Sequence, residues 1–404
     1  MPETKTPLPS GARDPRLDFF RGLSLVMIYL NHVPGTIYEH FTSRNFGHSD
    51  AAEGFVFMSG CAAALAYGPK MAEGLNWPIF RRIWGRSWLL YMVHILTAVW
   101  AIAIVSGAAL WFGGEALLTK NAFLPLTTEP LAFLVGIATL GHQLGYVNIL
   151  PMYAVLLLGA PFLIRLGQRW PLGLLAFTIG FWVLTGMTRL DLPNYPFEGG
   201  WFFNPFAWQL LFSLGILTGL ALRNGHRFVP VKSWLIWPAA LWAILCAIWV
   251  KSDYLMETLG HVVWQLRQWG APFFLVDFDK TYVSGPRLTH FLALGYLLSL
   301  PGIVPRIAAS AVMKPVRLLG RHGLPIFATG TVLAIFAQAV KEVHPGGFLQ
   351  DTVLILGGLS IQWAFAAIRE RIKRPPQSAA QMPAIPTPGV PALPDPHRFA
   401  AAAR

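Results

Sequence analysis

The sequence is poor in charge and in cysteine, and it lacks the short motifs of many soluble enzymes. Only 12% of its 404 residues are charged, whereas about one quarter are charged in an average soluble domain. Its two cysteines, Cys61 and Cys246, have no CxxC spacing, which argues against a disulfide framework and a zinc site. Walker-type, GxSxG and HExxH motifs are also absent. We therefore expect no metal site and no permanently bound cofactor.

Apolar residues are abundant instead and make up 54% of the chain. A helix needs roughly 17–25 mostly apolar residues to cross a bilayer. Ten windows meet that requirement, namely 19–38, 51–68, 87–106, 148–165, 171–188, 205–222, 233–250, 288–304, 324–343 and 350–368. A further apolar stretch at 131–141 is too short to span, so we expect an interfacial or re-entrant helix there. The sequence thus predicts an all-α, multi-pass membrane protein with about ten transmembrane helices in a lipid bilayer.

The net charge of +12 is spread in short patches between the apolar runs, and not in one cluster as in nucleic-acid binders. With the N-terminus in the cytosol, Arg and Lys predominate in the cytosolic loops, whereas most acids fall in the opposite loops. This bias predicts that both termini lie in the cytosol, because positively charged loops remain on that side. We expect no nucleic-acid partner.

The chain divides by composition into three parts. Residues 1–17 are expected to form a cytosolic N-terminal segment, residues 18–370 the membrane domain, and residues 371–404 a disordered, Pro/Ala-rich cytosolic tail. The loops 107–147 and 251–287 are expected to shape the outer entrance. No internal repeat is visible, which argues against an inverted-repeat transporter.

Polar residues of the first two predicted helices form the main candidate site. Arg21 and His32 are eleven residues apart in helix 1, so they lie near one face and about 16 Å apart along the axis. Asn31 precedes His32, and Asp50 and Glu53 begin helix 2, three residues apart on one face. Ionisable groups at membrane depth are costly and commonly functional. We expect these side chains to converge.

An imidazole beside a carboxylate can take a proton from a hydroxyl group. In this hypothesis His32 is the general base, and Asp50 or Glu53 orients its ring. Three alternatives remain open. In these alternatives, His32 is a hydrogen-bonded histidine within the bundle and not a base. Asp50 is a helix N-cap, and Glu53 is the N3 residue of a capping box.

The run RLDFFRGLSLVMIYLNHVPG…NFGHSDAAEGFVFMSG closely resembles the OpgC family, inner-membrane proteins that succinylate osmoregulated periplasmic glucans. The resemblance continues through ILPMYAVLL, GWFFNPFAWQLLFSLG and LLGRHGLPIF and extends from residue 13 to about 370. The family is grouped with the wider acyltransferase family 3. The resemblance implies a bacterial inner-membrane O-acyltransferase.

The family-3 pattern of an Arg and a His eleven residues apart in helix 1 is matched by Arg21 and His32, and the His is the presumed catalytic group. An RxxR signature linked to the acyl donor is replaced here by RRIWGR, and an acid expected before ILPMY is replaced by Asn148. The cationic groups expected to hold the phosphates of acyl-CoA on the cytosolic side are Arg21, Arg81, Arg82, Arg86, Arg321 and His322. Topology signals and lipid headgroup contacts are the alternative explanation for such clusters.

The co-substrates implied by the resemblance are succinyl-CoA, or another short acyl-CoA, and a glucan or other glycan on the periplasmic side. Side chains that can stack on a sugar or hydrogen-bond to it are Asn31, Tyr153, Trp201, Trp208 and Gln209. For the aromatic residues, the alternative explanation is that they lie at the membrane–water interface, where Trp and Tyr are enriched. Both direct transfer and an acyl-histidine intermediate are compatible with the sequence. The competing class is a transporter in which His32 and Glu53 form a proton relay.

Overall fold

The computed structural model describes residues 14–72 and 74–373, and within these ranges it is helical with one isolated pair of bridged residues, Pro193 and Gly200. The helices are α1 (Pro15–Asn31), α2 (Ala51–Tyr67), α3 (Trp77–Phe112), α4 (Pro125–Thr128), α5 (Pro130–Thr139), α6 (Ile149–Arg169), α7 (Pro171–Thr188), α8 (Pro205–Arg223), α9 (Ser233–Lys251), α10 (Asp253–Gln268), α11 (Phe273–Val276), α12 (Gly285–Leu298), α13 (Ile303–Ala309), α14 (Lys314–Arg321), α15 (Gly323–Val343) and α16 (Phe348–Lys373). The prediction of an all-α protein is confirmed.

Eight helices in the described ranges are long and apolar enough to cross a membrane, and they are α2 with the turn that follows it, α3, α6, α7, α8, α9, α15 and α16. Helices α12 and α13 form a ninth candidate only as a pair, because they are bent by 76° at their break. The short apolar helix predicted at 131–141 is observed as α5. These elements account for nine of the ten predicted windows.

The remaining window, 19–38, is helical only as far as Asn31. Pro34 disfavours a helical conformation in the residue before it, and Gly35 has a φ of +74°, so the chain turns there. Short 3-10 turns, Ile37–Phe41 and Ser43–Asn45, then lead to α2. The early end of α1 leaves His32 at its C-cap, beside the loop that precedes α2.

Side-chain caps set the starts of several helices. Asp14, Asn76 and Asn204 each accept a hydrogen bond from a backbone N–H in the first turn of α1, α3 and α8, respectively. Each of these helices also has proline in its first turn. Backbone N–H groups in the first turn have no hydrogen-bond partner within the helix, so proline, which lacks an N–H, is tolerated there. Local sequence therefore specifies where these helices begin.

Helices α2 and α8 cross with their backbones in direct contact. A Cβ atom at Gly60 would overlap the carbonyl group of Phe212, and one at Gly215 would overlap the carbonyl group of Phe57. Small residues permit such a close approach of two backbones. In a membrane the van der Waals contacts formed in this way stabilise helix pairs, because the hydrophobic effect does not act between helices in lipid. Helices α1 and α14 make a similar contact through Gly22 and Gly320. These crossings fix α1 and α2, the two helices on either side of the candidate site.

The chain divides into two units, residues 1–366 and 367–404. The first unit contains α1 to α15 and most of α16, and it holds every residue discussed below. The predicted N-terminal segment 1–17 lies outside the described residues as far as residue 13, and α1 already begins at Pro15. The predicted tail 371–404 lies outside them from residue 374 onward.

Candidate functional site

A cavity of about 900 Å³ opens at the end of the helical bundle where α1 ends and α2 begins, which we call the His32 end. Its walls come from the α1–α2 loop and from segments near residues 121, 145, 200 and 280. The polar and aromatic residues that line it are Asn31, His32, Arg44, His48, Ser49, Asp50, Asn121, Gln143, Tyr146, Asn148, Asn194, Trp201, Phe202, Phe203, Lys280, Thr281, Arg287 and Phe327. These segments, together with Val250 on α9 and Phe327 on α15, build one polar chamber.

His32 presents its ring to this cavity. The imidazole packs against Tyr146 with a centroid distance of 4.5 Å, and no protein hydrogen bond to either ring nitrogen is present in the described part of the chain. The backbone is held firmly: Gln338 Nε2 donates to the His32 carbonyl oxygen over 2.6 Å, and Asn121 Nδ2 donates to Gln338 Oε1 over 2.9 Å. The ring is therefore positioned by its neighbours yet available to a ligand.

Asp50 and Glu53 form a capping box at the start of α2. Asp50 Oδ1 accepts from Ala52 N over 2.8 Å, and the Asp50 N–H donates to Glu53 Oε2 over 2.9 Å. The two carboxylates also bind two cations: Lys280 Nζ lies 2.5 Å from Asp50 Oδ2, and Arg287 Nη2 lies 2.5 Å from Glu53 Oε1. Both alternatives stated for these acids, the N-cap and the capping box, are therefore observed, together with an ion-pair network.

The carboxylates do not hydrogen-bond to His32 among the described residues, because their oxygens are bound to the two cations and to backbone N–H groups. Burial by itself would raise the pKa of Asp50, but Lys280 and Arg287 lower it below its ordinary value. Asp50 is thus a fixed negative charge on the cavity wall. Glu53, which is 0% exposed, lies behind that wall.

One part of the cavity wall combines a cation with aromatic rings. Lys280 Nζ lies 5.3 Å from the centroid of the Phe203 ring and 6.0 Å from that of Phe202. Trp208 Nε1 donates to the Lys280 carbonyl oxygen over 3.1 Å and so fixes the loop that carries this lysine. Aromatic faces beside polar groups can pack against the apolar faces of a sugar ring and leave its hydroxyl groups free to hydrogen-bond.

Comparison with known families agrees with this architecture. Residues 13–374 match the family model described as OpgC protein. The chain belongs to the OpgC family. No curated protein and no solved structure matches it significantly. Membership in the OpgC family and the apolar helices together support a membrane acyltransferase.

The predicted donor-binding residues of this OpgC protein lie away from the cavity. Arg81 and Arg82 are exposed and Arg86 is half-buried in the first turns of α3. Arg321 Nε lies 3.5 Å from Asp18 Oδ2 at the end of α14, and His322 is buried beside it. Arg21 packs against Gly323 at the start of α15, about 16 Å along α1 from His32. None of these six residues lines the cavity.

The predicted acceptor-binding residues separate into two groups. Asn31 and Trp201 line the cavity, and Thr42 Oγ1 donates to Asn31 Oδ1 over 2.8 Å. The other three, Tyr153, Trp208 and Gln209, are packed between helices outside it. Gln209 is fully engaged, because Oε1 accepts from Thr178 Oγ1 and Nε2 donates to the Thr178 carbonyl oxygen. Trp208 affects the cavity indirectly, because its Nε1 donates to the carbonyl oxygen of Lys280.

Lys280 and Arg287 were not among the site residues predicted from the sequence. Their partners Asp50 and Glu53 lie more than 200 residues earlier, so no local pattern connects them. One signal was available, since Arg287 stands at the start of an apolar helix, where a charge requires a partner. Gln338 and Tyr146 gave no comparable signal.

Proposed function

We propose that this protein is a multi-pass O-acyltransferase of the bacterial inner membrane. It transfers a short acyl group, with succinyl as the leading candidate, from acyl-CoA on the cytosolic side to a hydroxyl group of a periplasmic glucan. The observation that carries the proposal is the His32 ring, which is held in place in a cavity of about 900 Å³ and whose nitrogens make no hydrogen bond within the described residues. Membership in the OpgC family supports the reaction class.

In this proposal the membrane domain has ten spans. They are the eight long helices, α1, and the bent pair of α12 and α13. The bias of Arg and Lys towards one set of loops then places both termini in the cytosol and the His32 end on the periplasmic side. The cavity accordingly opens to the compartment that contains the glycan.

His32 acts as the general base in the proposed reaction. The acceptor hydroxyl gives its proton to the imidazole as the oxygen attacks the thioester carbon, the C–S bond breaks, and the proton passes on to the leaving thiolate. Asp50 supplies a negative charge on the same cavity wall, which offsets part of the unfavourable effect of Lys280 on the imidazolium that forms in the transition state. This role requires no hydrogen bond between the two side chains.

The glycan is proposed to enter along the wall formed by Trp201, Phe202 and Phe203. The phosphates of acyl-CoA are proposed to bind the arginines at the start of α3 and Arg21, so that the pantetheine arm extends along α1 towards His32. Arginine suits phosphate because its planar fork of N–H groups forms paired hydrogen bonds.

A transporter with a His32–Glu53 proton relay is the competing function. Two hydrogen bonds from Arg287, at 2.9 and 2.5 Å, and one from the Asp50 N–H occupy the Glu53 carboxylate. A carboxylate held in this way is a poor relay for protons. These contacts favour the acyltransferase.

The experiment is an acyl-transfer assay with the purified full-length protein in detergent, radiolabelled succinyl-CoA and periplasmic glucan. The His32→Ala variant should lower the rate by about 10²–10⁴-fold, the usual contribution of a general base. His40→Ala is the matched control, because His40 is an exposed histidine of the same loop that does not line the cavity. A folded His32→Ala protein with full activity would refute the mechanism. Absence of transfer by the wild type, with no stabilisation by CoA in thermal melts, would favour the transporter.

A further inference from the structure

Ser49 and His290 form a buried pair that the proposed mechanism does not use. Ser49 immediately precedes Asp50, and its Oγ lies 2.7 Å from Nδ1 of His290 on α12. The two residues are 2% and 1% exposed, respectively. Ser49 is at the same time one of the residues that line the His32 cavity. A serine hydroxyl beside an imidazole in the wall of a reaction chamber is the arrangement of an activated nucleophile.

The backbone determines the direction of this hydrogen bond. Ser49 N also lies 3.2 Å from His290 Nδ1, and since a backbone N–H can only donate, Nδ1 is the acceptor. The proton of the neutral ring is therefore on Nε2. The Ser49 hydroxyl then donates to Nδ1, which is the direction needed to remove its proton. A nucleophile and its base are thus in direct contact.

Packing holds the His290 ring in this position. The ring lies directly on Gly47, where a Cβ atom would overlap it. Arg287, three residues earlier on the same face of α12, binds Glu53 at the start of α2. The charged and titratable groups around the pair are thus Arg287 on α12, and Asp50 and His48 on the α1–α2 loop, with the His48 ring 6.3 Å from that of His290.

We propose that Ser49 is a transient acyl carrier and that His290 is its base. This inference rests on the proposed acyltransferase function and deepens it, because it replaces one direct transfer by two steps. The hydroxyl is not needed merely to join the loop to α12, since the Ser49 N–H already makes that connection.

In the first step Ser49 Oγ attacks the carbonyl carbon of the acyl thioester and its proton passes to His290 Nδ1. The C–S bond breaks, an O–acyl ester forms on Ser49, and the thiolate takes the proton from His290 to leave as a thiol. In the second step the acceptor hydroxyl, deprotonated by His32, attacks this ester. The Ser49–acyl bond breaks, and the Ser49 oxygen takes up the proton that His32 removed from the acceptor hydroxyl, so that both imidazoles are neutral again.

The test uses the full-length protein with radiolabelled succinyl-CoA in the absence of glucan, quenched in denaturant and mapped by peptide mass spectrometry. The wild type should retain label on the peptide that contains Ser49, and adding glucan should remove it. The Ser49→Ala protein should lose the label. Ser59→Ala is the matched control, because Ser59 is another buried serine on α2 whose hydroxyl donates to the Phe55 carbonyl oxygen.

A second variant covers the case in which Ser49→Ala does not fold. Ser49→Cys keeps a nucleophile of similar size and should convert the ester to a thioester, so that neutral hydroxylamine releases a label that resisted it in the wild type. Label on His32, or glucan acylation by a wild type that never retains label, would overturn the acyl-serine step and leave the proposed function intact. No transfer to glucan by the wild type would overturn both.

Discussion

The ion-pair network behind the cavity gives the sharpest prediction about stability. Arg287 contacts Glu53, whose side chain is 0% exposed, whereas Lys280 contacts Asp50 with side-chain exposures of 22% and 16%. Removing one partner of a buried ion pair costs about 3–5 kcal/mol, because the other charge remains without compensation. A pair that water can reach contributes only about 1 kcal/mol or less. We expect Arg287→Met to destabilise the protein by about 3–5 kcal/mol and Lys280→Met by about 1 kcal/mol.

The difference of about 2–4 kcal/mol corresponds to roughly 30- to 700-fold in the unfolding equilibrium. The assay is reversible unfolding in mixed micelles, followed by the fluorescence of the 16 tryptophans. The Glu53→Gln/Arg287→Met double variant is the decisive control. It removes both charges, so it should be more stable than the sum of the two single changes predicts, with a coupling of at least about 1 kcal/mol.

We expect the larger cost for Arg287→Met because its partner, Glu53, is the more deeply buried acid. Equal destabilisation by Arg287→Met and Lys280→Met would therefore refute this reasoning. Strict additivity in the double variant would refute it as well. In that case the contribution of Arg287 would come from the packing of its aliphatic stem and not from the charge on Glu53.

Three further predictions concern the surroundings of the cavity. Gln338→Met removes the hydrogen bond to the His32 carbonyl oxygen and the bond by which Asn121 holds the Gln338 side chain, so it should lower kcat with little change in KM for the donor, as measured by steady-state transfer. Gln265→Met, on the exposed helix α10, should change neither constant. Trp208→Phe loses the 3.1 Å bond to the Lys280 carbonyl oxygen and should raise KM for the glycan without abolishing transfer, and an unchanged KM would argue against this wall as the acceptor site. Burial raises the pKa of Asp191 to about 7, so the folded state holds that proton more tightly than the unfolded state, and the protein loses stability as pH rises from about 4 to about 7. Asp191→Asn should therefore stabilise the protein at pH 8 and have little effect at pH 4, as thermal melts at both values would reveal.

The sequence was informative about helices because their determinants are local. Apolar windows predicted most of the long helices, and α5 was predicted as a short apolar element. The prediction for 19–38 was too long because Pro34 and Gly35 end the helix early, a local effect that an average over apolar residues does not register. At 288–304 the bend of 76° between α12 and α13 lies beside Gly302, which has a φ of +136°.

The site was predictable only in part, because its contacts join residues far apart in the chain. Spacing within α1 and α2 brought His32 and Asp50 to attention, and both line the cavity. The partners of Asp50 and Glu53, however, come from the segment around α12, and the support for His32 comes from Gln338 on α15. Such contacts depend on how helices pack, which a single sequence does not encode in any local pattern.

Helix α12 connects the stability of the cavity to its proposed chemistry. Arg287 and His290 lie on one face of this helix and bind Glu53 and Ser49, which flank Asp50 at the start of α2. A displacement of α12 would therefore change the charge around Asp50 and the hydrogen bond of Ser49 together. Because Arg287 provides most of the binding energy expected at this contact, its loss should impair acyl transfer even in molecules that remain folded. Lys280, on the loop before α12, binds Asp50 but not Ser49 or His290, so its loss should leave the Ser49–His290 pair in place.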